Sequence, residues 1–407
     1  MEQQTNIQKP PFVEFVVIVF LMTSLMALSI DSMLPALPQI GLDLGVKDPN
    51  QRQLIIPVLF LGLSVGQLIF GPLSDKTGRK PVIYGGYALY VLGALVCVFS
   101  ASFPVMLAGR FLQGLGISAP RVVTLALVRD RYEGRVMAKV MSFVMTAFIL
   151  VPMLAPSLGQ AIELRVGWRG IFVFLIGLSL ITLTWFGLRM PETLALDKRA
   201  PFTLHRIVKA ALEVVKNRAS LGYSLAAGLV SGAFIGYINS AQQILQEQYT
   251  LGEKFPIYFG VIGVSIGVAS FLNAGLVEKF GMRFLVNRAL VMIVIFACLG
   301  FGAALQTKGL PPLWLLISYL MLTFFCIGIL FGNLNALAMD PLGHLAGIGA
   351  AVVRSLSTII SMTLGTIIGQ SFNGTVFPII IGMGILTALS LLIVHWADAP
   401  KMQEVME

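Results

Sequence analysis

The decapeptide Gly71-Pro-Leu-Ser-Asp-Lys-Thr-Gly-Arg-Lys80 recurs in a weaker form as Ala274-Gly-Leu-Val-Glu-Lys-Phe-Gly-Met-Arg283. The two segments align without a gap, and leucine, an acid, lysine, glycine and a terminal base recur in the same order. Each segment connects the second and third apolar runs of its half of the chain. A match at equivalent places in two halves indicates the duplication of one structural unit.

The composition identifies lipid as the solvent of most of this chain. Of the 407 residues, 57% are hydrophobic and 12% are charged, whereas soluble domains carry about 25% charged residues. Apolar runs of roughly 20 residues predict transmembrane helices, because backbone inside a bilayer must satisfy its hydrogen bonds within the segment. A soluble enzyme is therefore excluded. About twelve such runs begin near Phe12, Leu54, Val82, Pro104, Val140, Gly170, Leu221, Pro256, Phe284, Leu313, Leu345 and Val376.

The expected fold is an all-α integral membrane protein with twelve transmembrane helices in two pseudo-symmetric six-helix bundles. The connection after the sixth run is the only one long enough to separate two bodies, and its stretch Leu204–Val215 has the amphipathic pattern of a helix at a membrane surface. We predict an N-terminal bundle at residues 1–190, a cytoplasmic linker at 191–219 and a C-terminal bundle at 220–407.

The net charge of +9 is interpreted as a topology signal rather than as a nucleic-acid-binding surface. Basic residues concentrate in alternate turns and in the long connection, and all of these segments fall on the side of both termini. The positive-inside rule places that side in the cytoplasm. The basic turns contain Lys76, Arg79 and Lys80, then Arg129, Arg131, Arg135 and Lys139, and then Lys279, Arg283 and Arg288.

Two charged residues are predicted at a similar depth in the membrane. Asp31 follows the start of the first run by about 19 residues, and Arg110 lies about seven residues into the fourth run from the opposite side. Ionisable residues inside a membrane usually face the protein interior and mark a pathway or a relay. We hypothesise that Asp31 and Arg110 meet in a substrate cavity and that Asp31 binds a coupling proton. A permanent structural ion pair, or a solvated aspartate at the helix end, is the alternative.

Two more polar residues of the fourth run are cavity candidates. Arg121 follows Arg110 by eleven residues, which places both on one helical face about 16 Å apart. Arg121 either lines the cavity or extends to the membrane interface. Gln113 lies one turn after Arg110 and either contacts the substrate or braces Arg110.

The fifth run contains Pro152, Pro156 and Gly159. Proline leaves a backbone carbonyl unpaired and glycine allows close helix approach, so these residues allow this helix to bend. A moving hinge and a fixed kink that only helps packing are both compatible with the pattern.

In the second half, Asn239 lies about as far into the seventh run as Asp31 lies into the first. Asn239, the nearby Tyr237 and Asn333 of the tenth run are candidates for the substrate cavity. Amides in such positions also join helix to helix, which is the structural alternative.

The sequence lacks motifs for nucleotide binding and for metal binding. It has no phosphate-binding loop of the type G-x-x-x-x-G-K-[ST], and no His, Cys or carboxylate cluster has metal-ligand spacing. Cys97, Cys298 and Cys326 lie in apolar runs at unrelated spacings and are interpreted as packing residues. We therefore expect neither an enzyme nor a metal or cofactor site. A passive channel remains an alternative, although the two-part repeat favours alternating access.

The segment Gly71–Lys80 resembles the signature loop of the major facilitator superfamily, and Leu107–Gly116 resembles the fourth-helix motif of that family, whose arginine is implicated in proton coupling. Further segments resemble the Bcr/CflA branch of drug:proton antiporters. Two segments depart from that pattern. In Ala155-Pro156-Ser-Leu-Gly159-Gln160, Gln160 stands where a second glycine is common, and Ser240-Ala-Gln-Gln-Ile244 replaces a proline-containing sequence. The branch segments are Asp31–Pro38, Ala126–Asp130, Pro152–Gly159, Gly167–Phe172 and Pro191–Thr193.

The resemblance implies a proton-coupled antiporter that exports drugs or other small organic molecules across a bacterial cytoplasmic membrane. Its partners are then the substrate, protons and the lipid bilayer, and we expect a monomer with no cofactor. It also implies that Asp75, Arg79 and Asp130 form a charge latch between helices, with Asp75 near the start of the eleventh helix. Under the alternative, these charges only fix topology. Export of an endogenous metabolite, such as an amino acid or a sugar, is the alternative function.

Overall fold

The computed structural model describes residues 10–199 and 204–399, and the predicted linker therefore has four residues, 200–203, outside the described part. The chain divides into two compact units between residues 203 and 204. The first unit contains helices α1 (Phe12–Asp31), α2 (Leu37–Asp43), α3 (Ile55–Thr77), α4 (Arg79–Val98), α5 (Phe103–Arg131), α6 (Gly134–Val166) and α7 (Arg169–Arg189).

The second unit begins with α8 (Leu204–Lys216), which occupies the stretch predicted to be amphipathic. A π-helical segment, Gln242–Gln248, continues directly from α9. Short 3-10 turns precede α10 and α13. The long helices are α9 (Arg218–Ala241), α10 (Phe255–Phe280), α11 (Met282–Gln306), α12 (Leu313–Met339), α13 (Ala346–Gln370) and α14 (Phe377–Asp398).

The predicted helical membrane fold is confirmed. Within the described residues, eleven helices are long and apolar enough to cross a membrane. The 33-residue helix α6 completes a set of twelve helices of at least 20 residues in the described part of the chain. This protein is therefore a multi-pass membrane protein.

The same pattern of helix packing occurs in each unit. In the first unit α5 packs between α3 and α4, α1 packs against α6 and α7, and α4 packs against α7. In the second unit α12 packs between α10 and α11, α9 packs against α13 and α14, and α11 packs against α14. Each unit thus assembles its six long helices in the same way, as the sequence repeat predicts.

The eighth residue of the repeated decapeptide is a glycine that turns the chain from one helix directly into the next. Gly78 has φ +102° and Gly281 has φ +77°, which are conformations that favour glycine. In both turns the glycine N–H donates to the carbonyl four residues earlier, Ser74 in the first unit and Val277 in the second. The recurrence of glycine in the two segments is therefore explained by one backbone geometry.

Glycines also set the spacing of α3, α4 and α5. A Cβ atom on Gly114 of α5 would lie 1.9 Å from the carbonyl oxygen of Leu59 in α3. On the other face of α5, a Cβ atom on Gly86 of α4 would lie 2.3 Å from the Cβ atom of Ala119. Small residues at a membrane helix interface allow such backbone approach, and here they hold the helix that carries Arg110.

Two adjacent glycines of α4 provide a test of this packing. We expect Gly86→Ala to lower the stability of the protein by about 1–3 kcal/mol, because the added methyl group collides with α5. Gly85→Ala is the matched control, since a Cβ atom on Gly85 meets nothing within 4 Å. Thermal unfolding of the purified variants in detergent measures both changes, and equal unfolding temperatures would contradict the proposed role of the contact.

Candidate functional site

Asp31 is the last residue of α1, and its side chain is 5% exposed. Within residues 10–199 and 204–399, no side chain or backbone N–H donates a hydrogen bond to its carboxylate, and no ion pair includes it. A carboxylate is costly to bury without a partner. Asp31 is thus a buried acid that the described part of the protein does not neutralise.

The expected contact between Asp31 and Arg110 does not form in this structure. Arg110 is fully buried, and its Nη2 donates to the backbone carbonyl of Ser29 at 2.8 Å. Its Nε donates to the carbonyl of Ile55 at 3.1 Å, and its Nη1 donates to Oε1 of Gln113 at 2.9 Å. The guanidinium therefore joins α1, the start of α3 and α5 through oxygen dipoles rather than through a carboxylate.

Gln113 occupies the bracing position that one of its two interpretations predicted. Its Oε1 accepts from Arg110, whereas its buried Nε2 has no acceptor in the described part of the chain. The thiol of Cys97 lies 3.9 Å from the same Oε1. Arg121 lies further along α5 and is half-buried.

Two residues that sequence reasoning missed complete the Arg110 cluster. The hydroxyl oxygens of Ser29 and Tyr90 lie 2.7 Å apart, and both residues are fully buried. Ser29 lies two residues before Asp31. Its backbone carbonyl accepts a hydrogen bond from Arg110, and its side-chain hydroxyl contacts the hydroxyl of Tyr90. The only signal in the sequence is a polar group inside an apolar run, which does not distinguish such residues from others of the same type.

The fifth long helix, α6, is continuous through Pro152 and Pro156. A Cβ atom on Gly159 would lie only 1.9 Å from the carbonyl oxygen of Ser32. The backbone of α6 therefore touches the chain at the residue after Asp31. This contact places Gly159 beside the residue that follows the buried acid, and Pro156 and Pro152 lie about one and two turns earlier in α6.

In the second unit the three candidate residues are buried on two helices. Tyr237 stacks on Phe259 with ring centroids 5.9 Å apart and meets Phe324 edge-on at 4.8 Å. Asn239 donates from Nδ2 to the carbonyl of Gly365 at 3.1 Å, which joins α9 to α13.

Asn333 joins two helices. Its Nδ2 donates to Oδ1 of Asn273 at 2.9 Å, and Nδ2 of Asn273 donates back to Oδ1 of Asn333 at 3.4 Å. Nδ2 of Asn333 also donates to the carbonyl of Ile329 in its own helix. This geometry is the helix-joining alternative that the sequence analysis left open, and it holds α10 against α12.

The three latch candidates meet at the turn between α3 and α4. Arg79 is 3% exposed, and its Nη1 lies 2.6 Å from Oδ1 of Asp75. Its Nε lies 2.9 Å from Oδ2 of Asp130 in α5. Nη1 also donates to the hydroxyl of Ser74 at 2.8 Å. One buried guanidinium thus holds two carboxylates from two helices.

Glu192 is a further member of this network, and sequence reasoning gave it no role. Its Oε1 accepts from the backbone N–H of Arg79 at 2.9 Å, and its Oε2 accepts from the N–H of Lys80 at 3.0 Å. A carboxylate at a helix N-terminus satisfies free N–H groups and favours the helix dipole. Gly78 leaves room for it, since a Cβ atom there would lie 2.6 Å from Oε2.

A second cluster forms at the opposite end of the first unit, where Gly167-Trp-Arg-Gly170 connects α6 to α7. Trp168 is 2% exposed, and its Nε1 donates to Oδ2 of Asp43 at 2.8 Å. Arg169 donates to the carbonyls of Val98 and Ser100 at 3.1 Å each. The motif therefore fastens α2 and the end of α4 to the start of α7.

Metal binding has no structural support in the described residues, where no group of three or more His, Cys, Asp or Glu side chains has a suitable arrangement. The buried polar groups that the proposed function uses are Asp31, the Arg110 cluster and the Arg79 network.

Comparison with known proteins agrees with this organisation. The chain is 31% identical over 347 residues to the MFS-type transporter YdgK of Bacillus subtilis, covering 84% of this chain and 85% of that protein. It is 28% identical over 404 residues to a bicyclomycin resistance protein homolog of Haemophilus influenzae, covering 98% and 99%. It is 26% identical over 389 residues to the multidrug resistance protein MdtL of Escherichia coli, covering 93% and 95%.

The fold is also shared with solved transporters. The xylose transporter XylE of Escherichia coli, in a partially occluded inward-open conformation, matches with a TM-score of 0.70 at 15% identity, covering 96% of this chain and 98% of XylE. The resemblance to the Bcr/CflA branch is confirmed by the bicyclomycin resistance and MdtL relatives. The sequence profile of the Major Facilitator Superfamily matches residues 19–366, and the chain belongs to that superfamily of transporters.

Proposed function

We propose that this protein is a proton-coupled antiporter that exports drugs or other small organic molecules across the bacterial cytoplasmic membrane. In this proposal both termini lie in the cytoplasm, because the basic turns fall on their side. The drug-resistance names of two relatives, at 28% and 26% identity, support the export of antimicrobial compounds. The protein functions as a monomer by alternating access.

The buried carboxylate of Asp31 is the observation that carries the proposal. An acid that is 5% exposed and has no partner in the described residues is stabilised by binding a proton. Its position at the end of α1 places it near the outer side of the membrane in the proposed topology. Asp31 binds a proton from outside and releases it to the cytoplasm after the transporter changes conformation.

Arg110 acts as a positioning residue in this proposal. Its guanidinium holds the Ser29 carbonyl, which fixes the last turn of α1 two residues before Asp31. Any movement of α1 relative to α5 therefore changes the tendency of Asp31 to hold its proton.

The moving hinge that we propose for α6 follows from the contact of Gly159 with Ser32. A helix whose backbone touches the residue after Asp31 changes the surroundings of that acid when it bends. Pro152 and Pro156 provide the weak points for such bending in α6, because proline removes backbone hydrogen bonds.

Replacement of Asp31 by asparagine tests the coupling. We expect Asp31→Asn to abolish substrate-driven proton movement in sealed proteoliposomes with an imposed pH gradient, because asparagine cannot exchange a proton. The screen uses chemically diverse antibiotics and metabolites, and proton flux is followed with a pH-sensitive dye. A metabolite that elicits flux when no antibiotic does would identify the same transporter as a metabolite exporter.

The control for this experiment is Asp43→Asn, which removes a carboxylate from the outer end of the same unit. Asp43 is bound by Trp168, and we assign it no proton. Proton flux that persists at the wild-type rate in Asp31→Asn would contradict the proposal, and so would wild-type protein in which no compound drives uphill flux.

Arg79, Asp75 and Asp130 form the proposed conformational latch. The buried cation neutralises two acids, and removal of one partner from such a network leaves unpaired charge, which is strongly destabilising. The repeat in the second unit places Met282 at the position equivalent to Arg79. The network is thus specific to the first unit, although the glycine turn beneath it is common to both.

Replacement of Arg79 by methionine, the residue of the second repeat, tests the latch. We expect Arg79→Met to reduce the rate of transport by about tenfold or more, since a change of about 1.4 kcal/mol in the balance of two states shifts their ratio tenfold. Lys76→Met is the matched control, because Lys76 lies exposed in the same turn. Equal transport rates for wild type and Arg79→Met would indicate that these charges only fix topology.

A further inference from the structure

Arg354 is an arginine inside a membrane-spanning helix. It is the eighth residue of the apolar segment Gly347–Gln370 of α13, so its backbone lies about 10 Å from the start of that segment. Its side chain is half-buried, and in the described part of the chain it makes no ion pair and no hydrogen bond. Charged residues at such a depth are rare and usually belong to a pathway or a binding site.

Arg354 lies on the face of α13 that is turned away from lipid. An exposed stripe runs along the other face of this helix through Ile359, Thr363 and Ile367, which are four residues apart. Thr363, at the centre of the stripe, follows Arg354 by nine residues, which is two and a half helical turns. The arginine is therefore directed into the second unit and not toward lipid.

This inner face of α13 packs against α9. Ser357, one turn after Arg354, donates from its hydroxyl to the backbone carbonyl of Ser224 at 2.9 Å. Nearly one turn further along both helices, a Cβ atom on Gly228 would lie 2.9 Å from the Cβ atom of Ile360. The residue numbers rise together, so the two helices are parallel, and residues about 133 apart in sequence lie at one level.

Ser220 lies at the level of Arg354. It precedes Ser224 by one turn of α9, and the register of the two helices places it beside Val353. Ser220 is fully buried, and its hydroxyl has no hydrogen-bond partner among the described residues. A buried polar group without a partner is costly. This level of the second unit thus contains a guanidinium and a hydroxyl whose N–H and O–H donors are both unused in the described part.

We propose that Arg354 and the hydroxyl of Ser220 bind the acidic group of a small organic anion, which is a carboxylate, a sulfonate or a phosphate. The planar guanidinium matches the geometry of such oxyanions, and the serine adds one more donor. Because Arg354 is turned away from lipid and lies near the cytoplasmic end of α13 in the proposed topology, the anion enters from the cytoplasm. The inference rests on the proposed export function, since it names a substrate class of the exporter.

Binding of four naphthalene compounds to the full-length protein tests the site. The probes 1-naphthoate, 1-naphthalenesulfonate and 1-naphthyl phosphate each carry one acidic group on the same ring system, and 1-naphthamide is neutral. Isothermal titration is performed in phosphatidylcholine nanodiscs in a phosphate-free buffer, without a proton gradient. We expect Arg354→Gln to weaken binding of at least one anion by about tenfold or more, because charge-assisted hydrogen bonds are lost. Naphthamide affinity should change by less than about twofold.

Two further variants locate the site. Ser220→Ala should weaken binding of the same anion by about threefold or more, and it keeps the test valid if Arg354→Gln fails to fold. Arg288→Gln is the control for loss of one positive charge, since Arg288 is an exposed residue of the same unit. It should leave all four affinities unchanged.

Thermal unfolding separates a binding site from a structural role. Without an anion, Arg354→Gln should unfold at the wild-type temperature or above it, because the variant no longer holds an unpaired cation in the membrane. With saturating anion, the unfolding temperature should rise for wild type and stay constant for the variant. A less stable variant that binds the anion as wild type does would show that Arg354 only supports the fold.

Failure of all three anions to bind wild type, or equal weakening of the anions and naphthamide, would overturn the inference. Nanodiscs that contain phosphatidylglycerol test a lipid headgroup as the occupant. If this lipid raises the unfolding temperature of wild type but not of Arg354→Gln, and no soluble anion binds, the inference is wrong. Anion binding that depends on Arg354, in a protein without gradient-driven transport, would support the site and reject the proposed export function.

Discussion

The buried guanidinium of Arg110 is the constraint on which the first unit depends. A permanent cation cannot remain in an apolar interior without oxygen ligands. Arg110 obtains them from the carbonyls of Ser29 and Ile55 and from Gln113. These ligands belong to three helices that must therefore stay close, and the glycine contacts of α5 provide that closeness. The charge is satisfied without a carboxylate, which is why Asp31 remains available for a proton in the function we propose.

The two copies of the turn show which residue the backbone geometry requires and which residue depends on a charge interaction. Gly78 and Gly281 both have positive φ and both connect two helices without a loop. Only the first turn carries the buried arginine with its two acids, because Met282 occupies the equivalent place in the second. The glycine is therefore explained by the fold, whereas Arg79 is explained by an interaction that exists in one half only. We attribute the presence of the Arg79 network in one half only to a difference in function between the halves.

The sequence predicted most of the fold because hydropathy and charge act locally along the chain. Eleven of the twelve long helices begin within about three residues of the predicted starts, but α6 begins at Gly134 instead of Val140, since its first polar turn continues the helix beyond the membrane. The site was less predictable. The Arg110 ligands are mostly backbone carbonyls, which carry no side-chain signal, and Glu192 reaches the start of α4 from 113 residues away. Asn333 was a cavity candidate, but its partner Asn273 lies 60 residues away in sequence.

Unsatisfied polar groups in the two units suggest a division of roles. In the first unit the acid Asp31 has no partner among the described residues, and it binds and releases a proton in the function we propose. In the described part of the second unit, the buried amide oxygens of Asn239, Gln246 and Asn287 receive no hydrogen bond, and they carry no charge and hold no proton at physiological pH. A buried carboxylate can be neutralised by a proton and therefore responds to pH. A buried amide oxygen is satisfied only when a donor forms a hydrogen bond to it. The proposed proton site of the first unit therefore differs in chemistry from the buried amides of the second unit, and substitutions in one need not disturb the other.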